Sequence, residues 1–213
     1  MKLFLKTESY NPNYYPSTGK HILAQTTDDL IVVYQAYKES IATYAVKNQK
    51  LSGPDYSLNR MSWIKPNFLW MMYRSGWASK EGQERVLACW ITKAFFDRIL
   101  DESVFSSFNS DYYKHVDEWR KELNDKEVRL QWDPDHDPYG KPVERRAIQL
   151  GLKGAILEEF ATVATVQIED ITPFVAEQSA KRSQKIEDLI VPTERVYTPA
   201  SHIINKIGLD TVI

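Results

Sequence analysis

The sequence predicts an α+β protein: a single compact domain in which helices pack on a mixed or antiparallel central sheet. Strand-like and helix-like segments interleave without the regular strand–helix–strand rhythm of a parallel sheet. No glycine-rich phosphate loop follows any strand, and 8 Gly in 213 residues argue against P-loop and dinucleotide-fold architectures. A chain of this length buries about 70% of its unfolded surface, enough for a core without covalent staples.

The elements follow in order. Residues 7–20, rich in Tyr, Asn, Pro and Ser, read as an irregular N-terminal arm, so the arm is set at 1–20 and the domain at 21–213. Leu30 to Tyr37 (LIVVYQAY) is apolar, β-branched and too short for a buried helix, which makes it a strand. A helix is expected over 38–48 and a loop over 49–59. Pro66 suits the first turn of the next helix and Gly76 its exit, and the apolar run Phe68 to Tyr73 marks it as buried on most sides.

Residues 85–92 (RVLACWIT) read as a central strand buried on both faces, followed by a helix over 93–101. From Asp101 to Asp137 the chain carries 11 Asp+Glu against 5 Lys+Arg, the balance of a solvated excursion. Within it Val128, Leu130 and Trp132 alternate with Arg129, Gln131 and Asp133, as in a half-buried strand. A Pro/Gly-rich loop at 134–142 leads to an expected helix near 143–160, with Ile148, Leu152, Ala155, Ile156 and Phe160 as its buried stripe. A strand at 163–171 then places Val166 and Ile168 on one side and Glu169 on the other. Thr172 and Pro173 are expected to cap and open a helix towards Asp188, and a strand at 195–197 and a turn of helix after Ser201 close the chain.

Composition narrows the function classes. Charges of 27 Lys+Arg and 29 Asp+Glu give a net charge of -2, against a protein that lives on non-specific DNA binding. The single cysteine, Cys89, permits no intramolecular disulfide and no thiolate metal cluster. The apolar stretch near Met1 is too short for a signal peptide, and no apolar run approaches the roughly 20 residues that span a bilayer. A cytoplasmic setting with no membrane partner is expected.

Three polar constellations carry chemistry. Asp133, Asp135, His136 and Asp137 sit within five residues, where oxygen ligands for a divalent cation or an acid/base pair can arise, or simply an Asx-stabilised turn. Arg145 and Arg146 fall in the first turn of the expected helix, where cations oppose the dipole. They either offer an anion site or pair with the upstream aspartates. Arg60, Ser62 and Lys65 precede the buried helix and Arg74 ends it, so cations flank an apolar wall. Tyr34 and the mid-strand Gln35 add buried polar groups that need partners, Arg129, Gln131 and Asp133 form a polar strand face, and Glu169 is a candidate general base.

The segments Arg60 to Trp77 (RMSWIKPNFLWMMYRSGW), Val128 to Pro138 (VRLQWDPDHDP) and Arg145 to Gly151 (RRAIQLG) resemble domain of unknown function family 4291, over about Val33 to Val196. The resemblance implies one family domain whose signature segments contain the three constellations, and the family name carries no activity. A split α+β core with a late strand glutamate, here Glu169, is similar to ADP-ribosyltransferase-like enzymes that use NAD. The chain departs from them in presenting Tyr34 and Gln35 where they present His or Arg.

The expectation is an enzyme acting on a nucleotide or other phosphorylated ligand. Arg145, Arg146, Arg60 and Lys65 would hold the anion, and Asp135, His136 and Glu169 would handle protons. The alternatives are a non-catalytic module that binds protein or RNA, and a metal-dependent hydrolase centred on residues 133–137; NAD and a divalent cation are the cofactors these readings raise.

Overall fold

A computed structural model describes residues 3–210; Met1 and Lys2, at the head of the expected arm, and residues 211–213 lie outside them. The strands are β1 (Thr7–Ser9), β2 (Ile22–Ala24), β3 (Leu30–Tyr37), β4 (Ser62–Ile64), β5 (Arg85–Thr92), β6 (Ser103–Phe105), β7 (Val128–His136), β8 (Pro142–Leu152), β9 (Thr165–Asp170), β10 (Ile190–Pro192) and β11 (Arg195–Tyr197). The helices are α1 (Glu39–Asn48), α2 (Phe68–Ser75), α3 (Lys93–Asp101), α4 (Val116–Asp125), α5 (Gly154–Glu159), α6 (Thr172–Gln184) and α7 (Ser201–Ile207). The fold is α+β, with mixed and antiparallel sheets.

Two sheets dominate. One is antiparallel, in the order β3-β5-β9; the other runs β4-β8-β7-β6, antiparallel except for the parallel β6–β7 pair. Two antiparallel ribbons, β1-β10 and β2-β11, tie the chain's beginning to its end. The large sheets meet at one residue pair, where Tyr34 N–H donates to the Lys65 carbonyl at 2.7 Å and Lys65 N–H donates back at 3.3 Å. Past that pair the Gln35 side chain takes over from the ladder, its Nε2 donating to Ser62 Oγ at 2.7 Å and to the Trp63 carbonyl at 3.2 Å.

Burial follows the pleat. Ile31, Val33, Leu87, Cys89, Ile91 and Ile168 face the larger core, which they share with Leu130, Ile148, Leu150 and Leu152 of the second sheet and Phe95, Phe96, Ile99 and Leu100 of α3. Each such side chain contributes about 1.5–3 kcal/mol of transfer free energy. Val32, Tyr34, Val86, Ala88 and Trp90 on the opposite face pack against Phe68, Leu69, Met71 and Met72 of α2 and Val175 of α6. The strand β5 is therefore buried on both faces, as its composition predicts. The second sheet's other face, bearing Gln131, Asp133 and Gln149, is polar.

Local chemistry sets α2. Asn67, not Pro66, is its N-cap: Asn67 Oδ1 accepts from Trp70 N at 2.6 Å, and Pro66 lies one residue outside. Gly76 closes the helix at φ +60°, where a Cβ would come within 2.9 Å of Ser79 Oγ.

The largest departure from the sequence reading is β8. The helix expected near 143–160 is a strand from Pro142 to Leu152, with α-helix only over Gly154–Glu159, which runs on as a π-helical segment over Phe160–Ala164. Ile148 and Leu152 fit a spacing of four, but Ile148, Leu150 and Leu152 fit a spacing of two. The hairpin with β7 decides, aligning Leu130 with Leu150, Gln131 with Gln149 and Trp132 with Ile148. The loop expected at 134–142 shrinks accordingly, with Asp137 Oδ1 accepting from Tyr139 N and Lys141 N and Gly140 at φ +84°. In β9 the register shifts opposite Trp90/Ile91, which leaves Val166 exposed rather than beside Ile168. Thr172 lies inside α6, where its Oγ1 accepts from Val86 N, and the helix ends at Gln184.

Candidate functional site

A cavity of about 510 Å³ opens where β3 and β4 part, between the polar face of β7–β8 and the exposed end of α2. Gln35, Arg60, Ser62, Lys65 and Gln131 line it, as do Trp63, Met71, Arg74, Gln83 and Gln149.

Lys65 is the group that demands explanation. It is 4% exposed, and its backbone is pinned to Tyr34 on both sides of the pair. No carboxylate lies within ion-pair distance of its ammonium among the described residues. Burial, reinforced by the Arg74 charge and opposed by Asp133, lowers its pKa from 10.5 to about 8.

Asp133 is held elsewhere: its Oδ1 accepts from Gln131 Nε2 at 2.7 Å and its Oδ2 from Gln149 Nε2 at 2.6 Å. The carboxylate thereby fixes the amides of two residues that line the cavity. Arg60 and Arg74 stand exposed, also without an ion pair among the described residues. Above Gly151 the Trp63 ring lies so close that a Cβ there would approach it to 3.0 Å and Met61 Sδ to 2.6 Å.

The remaining sequence candidates fall outside this cavity. Arg145 and Arg146 lie on β8, so they occupy no helix N-terminus. Arg145 is buried, its Nε donating to Asp135 Oδ2 at 2.5 Å and its guanidinium lying 5.2 Å from the Tyr15 ring. This is the pairing alternative. Burial raises the pKa of Asp135 while Arg145 pulls against it.

Arg146 is exposed and lines a second cleft of about 600 Å³ with Lys20, Phe105, Phe108 and Trp132; Gln131 borders both. His136 stacks on Tyr73, with centroids 3.5 Å apart, and on Trp70, and burial lowers its pKa despite the neighbouring aspartates. It packs under α2, outside the cavity.

Arg129 satisfies backbone carbonyls at and after the end of α4, donating to Leu123, Lys126 and Val128. Tyr34 is buried against Phe68. Glu169 shares a cross-strand row with Ala88 and Tyr34, two strand spacings or roughly 10 Å from Tyr34. It borders separate clefts near Gln49 and Phe174. The three aspartates of 133–137 serve two amides, an arginine and a turn respectively. Among the described residues no group of three or more His, Cys, Asp or Glu side chains is placed to hold a metal ion.

Arg74, Gln83 and Gln149 add polar groups to the lining beside Gln35, Arg60, Ser62, Lys65 and Gln131. Arg74 was legible as the far end of α2; Gln149 becomes legible once β8 is read as a strand opposite Gln131.

Fold and site together define an α+β protein with a cation-lined cavity at the junction of its two main sheets. The chain belongs to the family Domain of unknown function (DUF4291), whose model matches residues 21–197 and so contains every residue lining the cavity. No curated protein matches the chain. No helix among the described residues is long and apolar enough to cross a membrane.

Proposed function

We propose that the chain binds and acts on a small phosphorylated ligand of the nucleotide class in the 510 Å³ cavity, with the phosphate against Arg60, Lys65 and Arg74. The observation that carries this reading is the buried Lys65 ammonium, which has no ion-pair partner among the described residues and opens into a cavity with two further cations. An unpaired buried charge costs several kcal/mol, and an anionic ligand supplies the missing partner. The volume lies within the range of small-molecule sites. Trp63 and Met71 offer a wall for a planar ring, and the glutamine amides offer donors and acceptors for its polar edge. A cytoplasmic setting accords with the single, buried Cys89.

Thermal unfolding against inorganic phosphate, AMP, ADP, NAD and a short RNA tests the reading. A ligand at 100 times its dissociation constant stabilises by about 2.7 kcal/mol, or about 5–10 °C for a chain of this size. The expected result is such a shift with a phosphorylated small molecule, lost in Arg74→Ala, whose side chain is exposed. No shift with any of them overturns the reading; a shift with RNA alone favours a non-catalytic binding module.

A further inference from the structure

The same cavity holds the means for covalent chemistry. We infer that Lys65 condenses with the carbonyl group of a small anionic aldehyde or ketone, forming an imine while Arg60 and Arg74 hold the substrate's phosphate. The inference rests on the anion-pocket reading and narrows it: the phosphate sits on Arg60 and Arg74, Lys65 meets a carbonyl group, and the ligand is a phosphorylated aldehyde or ketone in place of a nucleotide.

Four observations converge. The Lys65 side chain is buried and lines the cavity, so a ligand inside meets its amine. Its main chain is fixed by two hydrogen bonds to Tyr34 and followed by Pro66, so the base of the side chain is held rigidly. Asp133, the carboxylate that opposes the lowering of its pKa, has both oxygens engaged by Gln131 and Gln149, which leaves Lys65 outside any structural ion pair among the described residues. Arg60 and Arg74 sit on the same lining, exposed where an anionic group enters.

A lysine with a structural role would keep a counter-ion; one that must lose a proton to attack carbon is better placed beside cations and apart from carboxylates. The lowered pKa agrees with this placement. At pH 7.5 a lysine titrating near 8 has about two hundred times the neutral fraction of an ordinary one.

The step balances without a co-reactant. The neutral amine nitrogen adds to the carbonyl carbon, and the C=O π pair moves to oxygen. The carbinolamine then loses that oxygen as water, so ammonium plus carbonyl gives protonated imine plus water. Hydrolysis reverses it.

Pyridoxal 5′-phosphate, which carries both an aldehyde and a phosphate, is the probe. The intact protein is incubated with it at pH 7.5 and reduced with borohydride, whose hydride converts the imine to a stable secondary amine, and the adduct is mapped by mass spectrometry. The expected result is modification of Lys65 at least about tenfold faster than of the exposed Lys47 and Lys50, slowed by inorganic phosphate and abolished by Lys65→Arg, which cannot form an imine. Labelling spread evenly over surface lysines overturns the inference. If phosphate still stabilises the wild-type protein thermally while Lys65 stays unmodified, the imine fails and the anion pocket stands. If phosphate neither stabilises nor protects, the pocket reading fails and the imine inference with it.

Discussion

Replacing Lys65 with Met removes a buried charge and keeps a side chain of similar length. The lowering of the lysine pKa from 10.5 to about 8 corresponds to about 3 kcal/mol of differential stability between its charged and neutral forms. At neutral pH Lys65 is charged in both the folded and the unfolded chain, so the folded state bears the whole penalty. Between about 8 and 10.5 the unfolded chain binds the extra proton, so the penalty fades and wild-type stability rises with pH across that window. Lys65→Met is therefore expected to be more stable than wild type at pH 7 by up to about 3 kcal/mol, a rise in Tm of about 6–12 °C. The gap should close as pH approaches 10.5. Urea unfolding of both proteins at pH 7, 8.5 and 10 measures it. A less stable Lys65→Met at pH 7 would refute the reasoning, because it would mean the ammonium is satisfied within the fold rather than held in reserve for a ligand.

Three further outcomes are expected. Glu194 is buried, accepts from Phe68 N at 2.7 Å, and has its pKa raised well above 4.5 by burial; its stabilising contribution is present at acid pH and is lost as pH rises through the folded pKa. Glu194→Gln should thus exceed wild type in stability at pH 7, with the gap narrowing towards pH 4, and a pH-independent gap in urea midpoints would contradict this. Arg145→Met leaves Asp135 buried without its partner and should cost about 3–5 kcal/mol by urea unfolding; a loss below about 1 kcal/mol would show the pair to be dispensable. Gly151→Ala drives a methyl into Trp63 and Met61 and should cost about 1–3 kcal/mol, with weaker ligand binding because Trp63 lines the cavity; unchanged stability and binding would show that the wall yields freely.

The elements with a strong local pattern, either an unbroken apolar run or a clean period, were legible in the sequence. The strand at Leu30–Tyr37, the central strand at Arg85–Thr92, the helix at Lys93–Asp101 and the alternating strand from Val128 all stand where their patterns place them. The strand β8 was not, because Ile148 and Leu152 satisfy helical and strand periods alike and only pairing with β7 separates the two. That ambiguity propagated into the site. It put Arg145 and Arg146 on a helix terminus and hid Gln149, which faces Gln131 only across a hairpin. Of the six three-residue strands among the described residues only β11 was expected; β1, β2, β4, β6 and β10 are too short to show a period and exist through their partners. Gln35 was nonetheless singled out as a buried amide that needs partners, Arg60, Ser62 and Lys65 as the cationic flank of the apolar helix, and Gln131 as part of a polar strand face, and they converge on one cavity. Asp135, His136 and Glu169 drew notice as acid/base candidates and lie outside that cavity: Asp135 pairs with Arg145, His136 stacks on Tyr73, and Glu169 borders other clefts.

The central claim is that Lys65 waits for an anion. The most direct measurement is NMR titration of the lysine ammonium groups in protein labelled with 15N-lysine, with Lys65 assigned through Lys65→Met, in the absence and presence of saturating pyrophosphate. In the free protein its pKa should lie near 8, and with pyrophosphate bound it should rise towards the ordinary 10.5, since the bound anion favours the charged form. A pKa that stays put while pyrophosphate binds, or one near 10.5 from the outset, would contradict the account.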